Sequence, residues 1–327
     1  GEIKVTGAAT LSGDIGTSAT VRLATLNIDE NTSVSGTVNV DAITLKTNKT
    51  LTAAGLTKTI RGTINGEAAA DGGQGNLTVS NGGLPATIQT FTGAIGQTAE
   101  LDMITLTTEA DFDSSVKSDG VTIAGGTEGK FGGDLTLGAA DLTLGDATSQ
   151  ATFDGTSAQT ITGGAAGEEI DGTGIIQISN TSTAGVTFST NATIDSNAVE
   201  LKLAANARAT TSVVSHVTKN VETLSGSVLV LDDTIANTNT IFTTTDTLDE
   251  DSIDPSSHIK MPSNFDNGET IKLFVDVEVN DIVGILADVN SALVDTGLVN
   301  YVATATGGDD VTVTATETTD SAAASTL

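Results

Sequence analysis

The segment Leu11–Leu26, LSGDIGTSATVRLATL, returns without a gap as Phe91–Leu106, FTGAIGQTAELDMITL, at an offset of 80 residues (11 to 91). Both copies follow one formula: apolar, hydroxyl, Gly, any residue, Ile, Gly, two polar residues, Ala, then alternation ending in Thr-Leu. A second pair accompanies it. Thr59–Gly66 with Glu67, TIRGTINGE, returns as Thr160–Gly167 with Glu168, TITGGAAGE. Downstream of each lies an Asp-Gly step followed closely by a further Gly, DGGQG at 71–75 and DGTG at 171–174, and then a strand-like run ending in Ser-Asn, at 77–81 and 176–180. Long-range self-similarity of this kind points to a stacked array and not a closed globule.

Composition narrows the function classes. In 327 residues, 13 Lys+Arg stand against 42 Asp+Glu, a formal charge of −29. That sign opposes nucleic-acid binding, which depends on cationic counterion release, and opposes attachment to anionic lipid. It favours solubility, mutual repulsion and capture of divalent cations. Charged residues are only 17%, so Thr, Ser, Asn and Gly must supply most of the polar surface. The chain has no Cys, which removes disulfides, thiolate metal sites and thiol nucleophiles together. No run approaches the ~18 apolar residues of a membrane-spanning helix.

From Ile3 onward, short bursts alternate apolar residues with Thr or Asn: 3–7, 20–28, 34–40, 42–45 and 50–55. Period-2 alternation over four to eight residues is the pattern of a half-buried strand. Gly, Asn and Asp stand between the bursts, as tight turns require. The pentapeptide DLTLG occurs at 134–138 and again at 141–145, an echo seven residues apart (134 to 141). Phe91, Phe112, Phe131 and Phe153 follow one another at roughly 20 residues, and Phe188 comes after a longer gap. A solenoid coil takes about 20–25 residues, so one ring per coil would build an internal stack; the competing account of the spacing is coincidence.

The expected fold is therefore all-β: an elongated parallel β-solenoid (β-helix) with a small C-terminal α/β cap. The alternative is a string of tandem β-sandwich domains. The boundaries are a solenoid body over 1–245 with internal repeat copies at 11–81 and 91–180, an acidic loop over 246–258, and a cap over 259–327. Within the cap, 281–294 is the one stretch with helical spacing, with Asp281 placed as N-cap. Strands are expected at 269–279, 298–305 and 310–318. A terminal helix and hairpin would cover the open end of the stack.

Candidate chemistry is sparse. His216 alternates with Val213 and Val217 as a strand residue does, and His258 follows a Pro-Ser-Ser turn. Neither has a local triad or ligand pattern around it. Hard oxygen ligands are the better prospect for a metal, calcium needing about 6–8 of them. Asp246, Asp249, Glu250, Asp251 and Asp254 form the densest group and are the candidate calcium ligands; the plain alternative is a solvated acidic loop. Asp232, Asp233, Asn237 and Asn239, and Gly307–Asp310, are smaller groups of the same kind. The glycine steps are not phosphate loops, since none leads from a strand into a helix through Lys-Ser/Thr. A polysaccharide lyase on a solenoid would need carboxylates and basic residues converging in a groove, and the basic residues here are scattered. No enzymatic role is expected.

The Gly-x-Ile-Gly block with its following strand resembles the passenger regions of rickettsial-type surface-antigen autotransporters and related repeat-rich, surface-layer-like bacterial proteins. Gly13, Ile15, Gly16, Leu23, Leu26 and Asn27 carry the resemblance, with Gly93, Ile95, Gly96, Met103 and Leu106 in the second copy. Gln159–Gly164 and Met261–Phe274 are similar to the late part of such passengers. The resemblance implies an exported, extracellular protein of the bacterial cell surface. Two roles follow from it: a structural subunit assembling with itself into a surface layer, sheath or fibre, or an adhesin passenger binding a ligand on a host or neighbouring cell. No barrel-like translocator follows Leu327, so the expectation is either a cleaved passenger or a free secreted subunit. The expected partners are identical chains, as a homo-oligomer or polymer, or a cell-surface ligand. Nucleic acid and a membrane span are not expected, and no cofactor beyond calcium is implied.

Overall fold

The structure, a computed structural model, describes residues 1–55, 58–67, 75–81, 88–164, 170–189, 191–235, 240–244, 248, 252–275, 282–295, 299–307 and 309–317. The chain winds into a parallel β-solenoid of about nine turns. Each turn lays one short strand on each of three faces, and each strand pairs in parallel with its counterparts in the turns before and after. This is the expected architecture. Among the described residues no paired sandwich domains are formed.

The register defines the faces. On the first, Leu26, Ile43 and Ile64 stack, and the column continues through Ile95, Val116, Leu135, Ile161 and Phe188. On the second, Leu51, Leu77, Ile104, Val121, Leu142 and Ile170 stack. On the third, Val38, Ile60 and Phe91 lead into Phe112, Phe131, Phe153, Ile178 and Leu203. Apolar residues point inward and Thr, Asn and charged residues point outward, as the alternating burial of strands such as Asn76–Ser80 and Val199–Leu203 shows. The parallel ladder repeats every 4.7–4.9 Å, so an inward residue at one height sits directly on its counterpart in the next turn.

Four of the five phenylalanines form the internal stack. Ring centroids lie 5.0, 5.4 and 5.3 Å apart from Phe91 through Phe112 and Phe131 to Phe153. Phe188 is not the next ring. The register places it on the first face, against Ile161, where it begins a second column. From there it meets His216 of the second face edge-on, and His216, Phe242 and Phe274 stack beyond it.

The repeated block keeps its local geometry but changes its face. Ile15 bridges Val38 on the third face, whereas Ile95 bridges Ile64 and Val116 on the first. Gly16 and Gly96 both take positive φ, 75° and 72°. A Cβ on either would collide with the backbone carbonyl of the next turn, that of Asn39 or of Lys117, so the corner requires glycine. The block therefore encodes a strand, a corner and the next strand, and it returns one face out of phase with a whole number of turns. The DLTLG echo has the same basis: Leu135–Leu137 lies on the first face and Leu142–Leu144 on the second.

At the C-terminal end the pattern changes. The second face continues through His216–Thr218, Thr240–Thr244 and Thr270–Val275, still in parallel. Asp310–Glu317 then adds antiparallel, and Val299–Thr306 adds antiparallel to that. The helix runs from Ile282 to Ala292 and buries Ile282, Ile285, Val289 and Ala292, one stripe at helical spacing. Asn290 clamps the hairpin: its Nδ2 donates to the Ala303 carbonyl at 3.1 Å and its Oδ1 accepts the Ala303 N–H at 2.8 Å. Leu293, just past the helix, bridges Ile259 of the first face. Asp281, the expected N-cap, lies outside the described residues. No helix among the described residues is long and apolar enough to cross a membrane.

Candidate functional site

Of the candidate calcium ligands, Asp246, Asp249, Glu250 and Asp251 lie outside the described residues. Asp254 is described, and its surroundings are those of a corner. Its Oδ1 accepts the Ser256 N–H at 2.8 Å and the Ser256 hydroxyl at 2.5 Å. These hydrogen bonds, hydroxyl first, hold its carboxyl below the usual range. The flanking residues belong to the stack: Ile253 bridges Thr223 on the third face, and Ser252 and Ser257 are buried. Asp254 also lines a cleft of about 430 Å³ between this corner and the helix, together with Leu224, Pro255, Ala287 and Asp288. Asp233 is engaged in the same way, taking the Ser263 N–H at 2.6 Å and hydroxyl at 2.7 Å. Asp310 binds Lys272 at 2.7 Å. Among the described residues, no three His, Cys, Asp or Glu side chains gather as metal ligands.

His216 is buried in the second aromatic column. Its Nδ1 accepts the Ile194 N–H at 3.1 Å, and its Nε2 lies 3.0 Å from the Thr211 hydroxyl. Burial drives its pKa down to about 4. His258 is exposed and pairs with Val228 through the backbone. The two histidines lie on different strands of the stack.

The side chains that gather on the surface are in rows, one from each turn. On the second face the outward row is Thr10, Ser33, Thr52, Thr78, Thr105, Thr122 and Thr143, seven hydroxyls on consecutive turns. On the third face it is Asp111, Lys130, Thr152, Gln177, Lys202 and Glu222. A parallel row beside it carries Glu128, Gln150, Ile175, Glu200 and Asn220. Glu128 Oε1 accepts the Thr152 hydroxyl at 2.7 Å, and Glu222 Oε2 accepts Lys202 at 2.6 Å.

Crowding shifts these carboxyls. Burial, then the charges of Asp113 and Asp154, raise Asp111 against the pull of Lys130. Burial raises Asp154 likewise. Burial followed by contact with Glu222 raises Glu200, opposed by Lys202 and Lys219. A second crowded set occupies another edge, where burial raises Asp102, Asp119 and Asp141. Chemically, such a surface offers aligned donors and acceptors at strand spacing, and carboxyls that give up their protons late. The rows were invisible in the sequence because their members stand at uneven gaps, 17 residues from Thr105 to Thr122 and 27 from Thr78 to Thr105, with no shared motif; only the register assembles them.

No family model matches this chain, nor does any curated protein or solved structure.

Proposed function

We propose that this chain is a structural protein of a bacterial surface or extracellular layer, one subunit of a self-assembled sheath, layer or fibre. The observation that supports this reading best is the seven-hydroxyl row from Thr10 to Thr143. A straight row repeating one group every turn suits a partner with the same repeat, and a second copy of the chain has it. Active sites need unlike groups converging on one point; a row spreads like groups along a line. The charge of −29 makes copies repel, so assembly is expected to require a divalent cation, with calcium as the candidate. Sedimentation velocity across protein concentration, with EDTA and then with millimolar calcium, tests this. Cation-dependent association through interfaces burying more than ~1,000 Å² supports it. A monomer at every concentration and in both buffers contradicts it.

One observation favours a second reading, an adhesin passenger. The third-face row changes sign along its length, from Asp111 through Lys130 to Lys202 and Glu222, and such a row suits an unlike ligand better than a copy of itself. That reading predicts a monomer that binds cells and loses binding when Lys130 and Lys202 are both replaced by Ala.

A further inference from the structure

On the second face the ladder is thinnest between Ile170 and His216. The full strand pairing of the earlier turns gives way there to isolated bridges, Ile170 to Ile194 and Asp195 to Val217. Full pairing resumes only where His216–Thr218 meets Thr240–Thr244. At this joint, a side chain supplements the backbone: the Ile194 N–H donates to His216 Nδ1 at 3.1 Å. The Thr211 hydroxyl donates to the Val213 carbonyl at 2.9 Å, so at 3.0 Å it accepts from His216 Nε2–H. This set of contacts accommodates only the neutral ring with its proton on Nε2. The ring is 1% exposed and lies between Phe188, 5.9 Å away and edge-on, and Phe242, stacked at 5.2 Å. A second proton would set one N–H against another and place a buried charge with no counter-ion. The charged residues on the elements packed around it are Asp195, Glu200, Lys202, Arg208 and Lys219; all occupy outward or exposed positions, with the Arg208 Nε buried, and none of them contributes to the shift in its titration.

We propose that His216 is an acid-sensitive clasp: neutral, it holds the C-terminal part of the second face onto the stack, and protonated, it opens that joint while the Phe91–Phe153 turns stay closed. The clasp is independent of the assembly reading above, since it concerns one chain.

The test is hydrogen-exchange mass spectrometry on the whole chain at pH 7, 5 and 4, corrected for the intrinsic pH dependence of exchange. A native pKa of about 4 against an ordinary 6.5 weakens protection of His216–Thr218, Thr240–Thr244 and Thr270–Val275 roughly 30-fold at pH 5 and more than roughly 100-fold at pH 4. Protection of Gln89–Phe91 through the strand ending at Phe153 is expected not to fall. His216→Phe, which keeps a ring and cannot be protonated, is expected to remove the acid response. Uniform loss across the chain, no loss at the joint, or the same loss in His216→Phe would each overturn the proposal. Should His216→Phe not fold, proton NMR of the His258→Gln chain decides, because one imidazole remains. A ring that titrates near 6.5 while the joint stays protected overturns the clasp, and a ring that takes its proton only as the joint opens supports it.

Discussion

Two aromatic columns run through this molecule, and they differ at one position. The first is all phenylalanine, from Phe91 to Phe153, with rings tilted by 19–24° and 5.0–5.4 Å apart. The second runs Phe188, His216, Phe242, Phe274, with its first contact edge-on at 79°. Parallel register, which carries an inward side chain of one turn onto its counterpart in the next, builds the first column and the His216, Phe242, Phe274 part of the second; Phe188, whose register partner is Thr211, reaches His216 from the first face. The first column is held by burial and ring contact alone and has nothing to titrate. In the second, one ring nitrogen replaces part of a sparse ladder, and its stability becomes tied to pH. A solenoid can thus change its local properties by substituting one rung, with its winding unaltered.

The largest expected effect breaks the first column. Phe131→Ala removes a middle ring and leaves a cavity between Phe112 and Phe153; it should cost about 3–5 kcal/mol in denaturant titration, whereas Phe131→Leu should cost distinctly less. Next is the acid response of the second column. His216 has a folded pKa of about 4, below its ordinary 6.5, so the unfolded chain binds the extra proton between these values. Stability should fall as pH drops from 6.5 to about 4, by on the order of 3 kcal/mol in all, and His216→Phe should flatten that slope in pH-dependent melts. The carboxyls outside the first column carry the opposite sign. Asp111 and Asp154 are raised above 3.8, so the folded chain binds their protons first and these turns gain stability as pH falls toward 3.8. Asp111→Asn with Asp154→Asn should remove that gain and leave the His216 slope in place.

Two smaller effects sharpen the comparison at the turns. Gly96→Ala places a side chain at φ 72° against the Lys117 carbonyl and should cost about 1–3 kcal/mol; Gly16→Ala should cost a similar amount, although its corner lies on another face. The Lys202–Glu222 pair, at 2.6 Å with both side chains partly exposed, should contribute about 0–1 kcal/mol in a double-mutant cycle and less in high salt.

The short alternating strands, the Gly corners and the 20-residue phenylalanine spacing made the solenoid legible in the sequence, because each is a local signal. The helix over Ile282–Ala292 was legible for the same reason. What local signals cannot carry is phase. The Leu11–Leu26 and Phe91–Leu106 blocks specify a corner between two strands and do not specify which face comes first. Phe188 sits 35 residues after Phe153 (153 to 188), and turn length varies enough that this gap lands on the first face. His216 was legible as a strand residue, but its partners Ile194, Thr211 and Phe242 come from neighbouring turns. The outward rows, Thr10 to Thr143 and Asp111 to Glu222, exist only once turns are stacked. Asp254 stood out as one carboxylate in an acidic run, and its bond to Ser256 marks it as a corner residue.

Parallel turns stacked along one axis underlie the rows, the columns and the clasp alike, and the hydroxyl row measures this stacking directly. The chain has no Cys, so spin labels can be placed in pairs at Thr10 and Thr143, six register steps apart, and at Thr52 and Thr143, four steps apart. Pulsed electron paramagnetic resonance should give backbone separations of about 29 Å and about 19 Å after allowance for the label linkers, one strand spacing for each turn. Distances that do not shrink in proportion to the turns between the labels would contradict the stack, and with it the rows, the columns and the clasp.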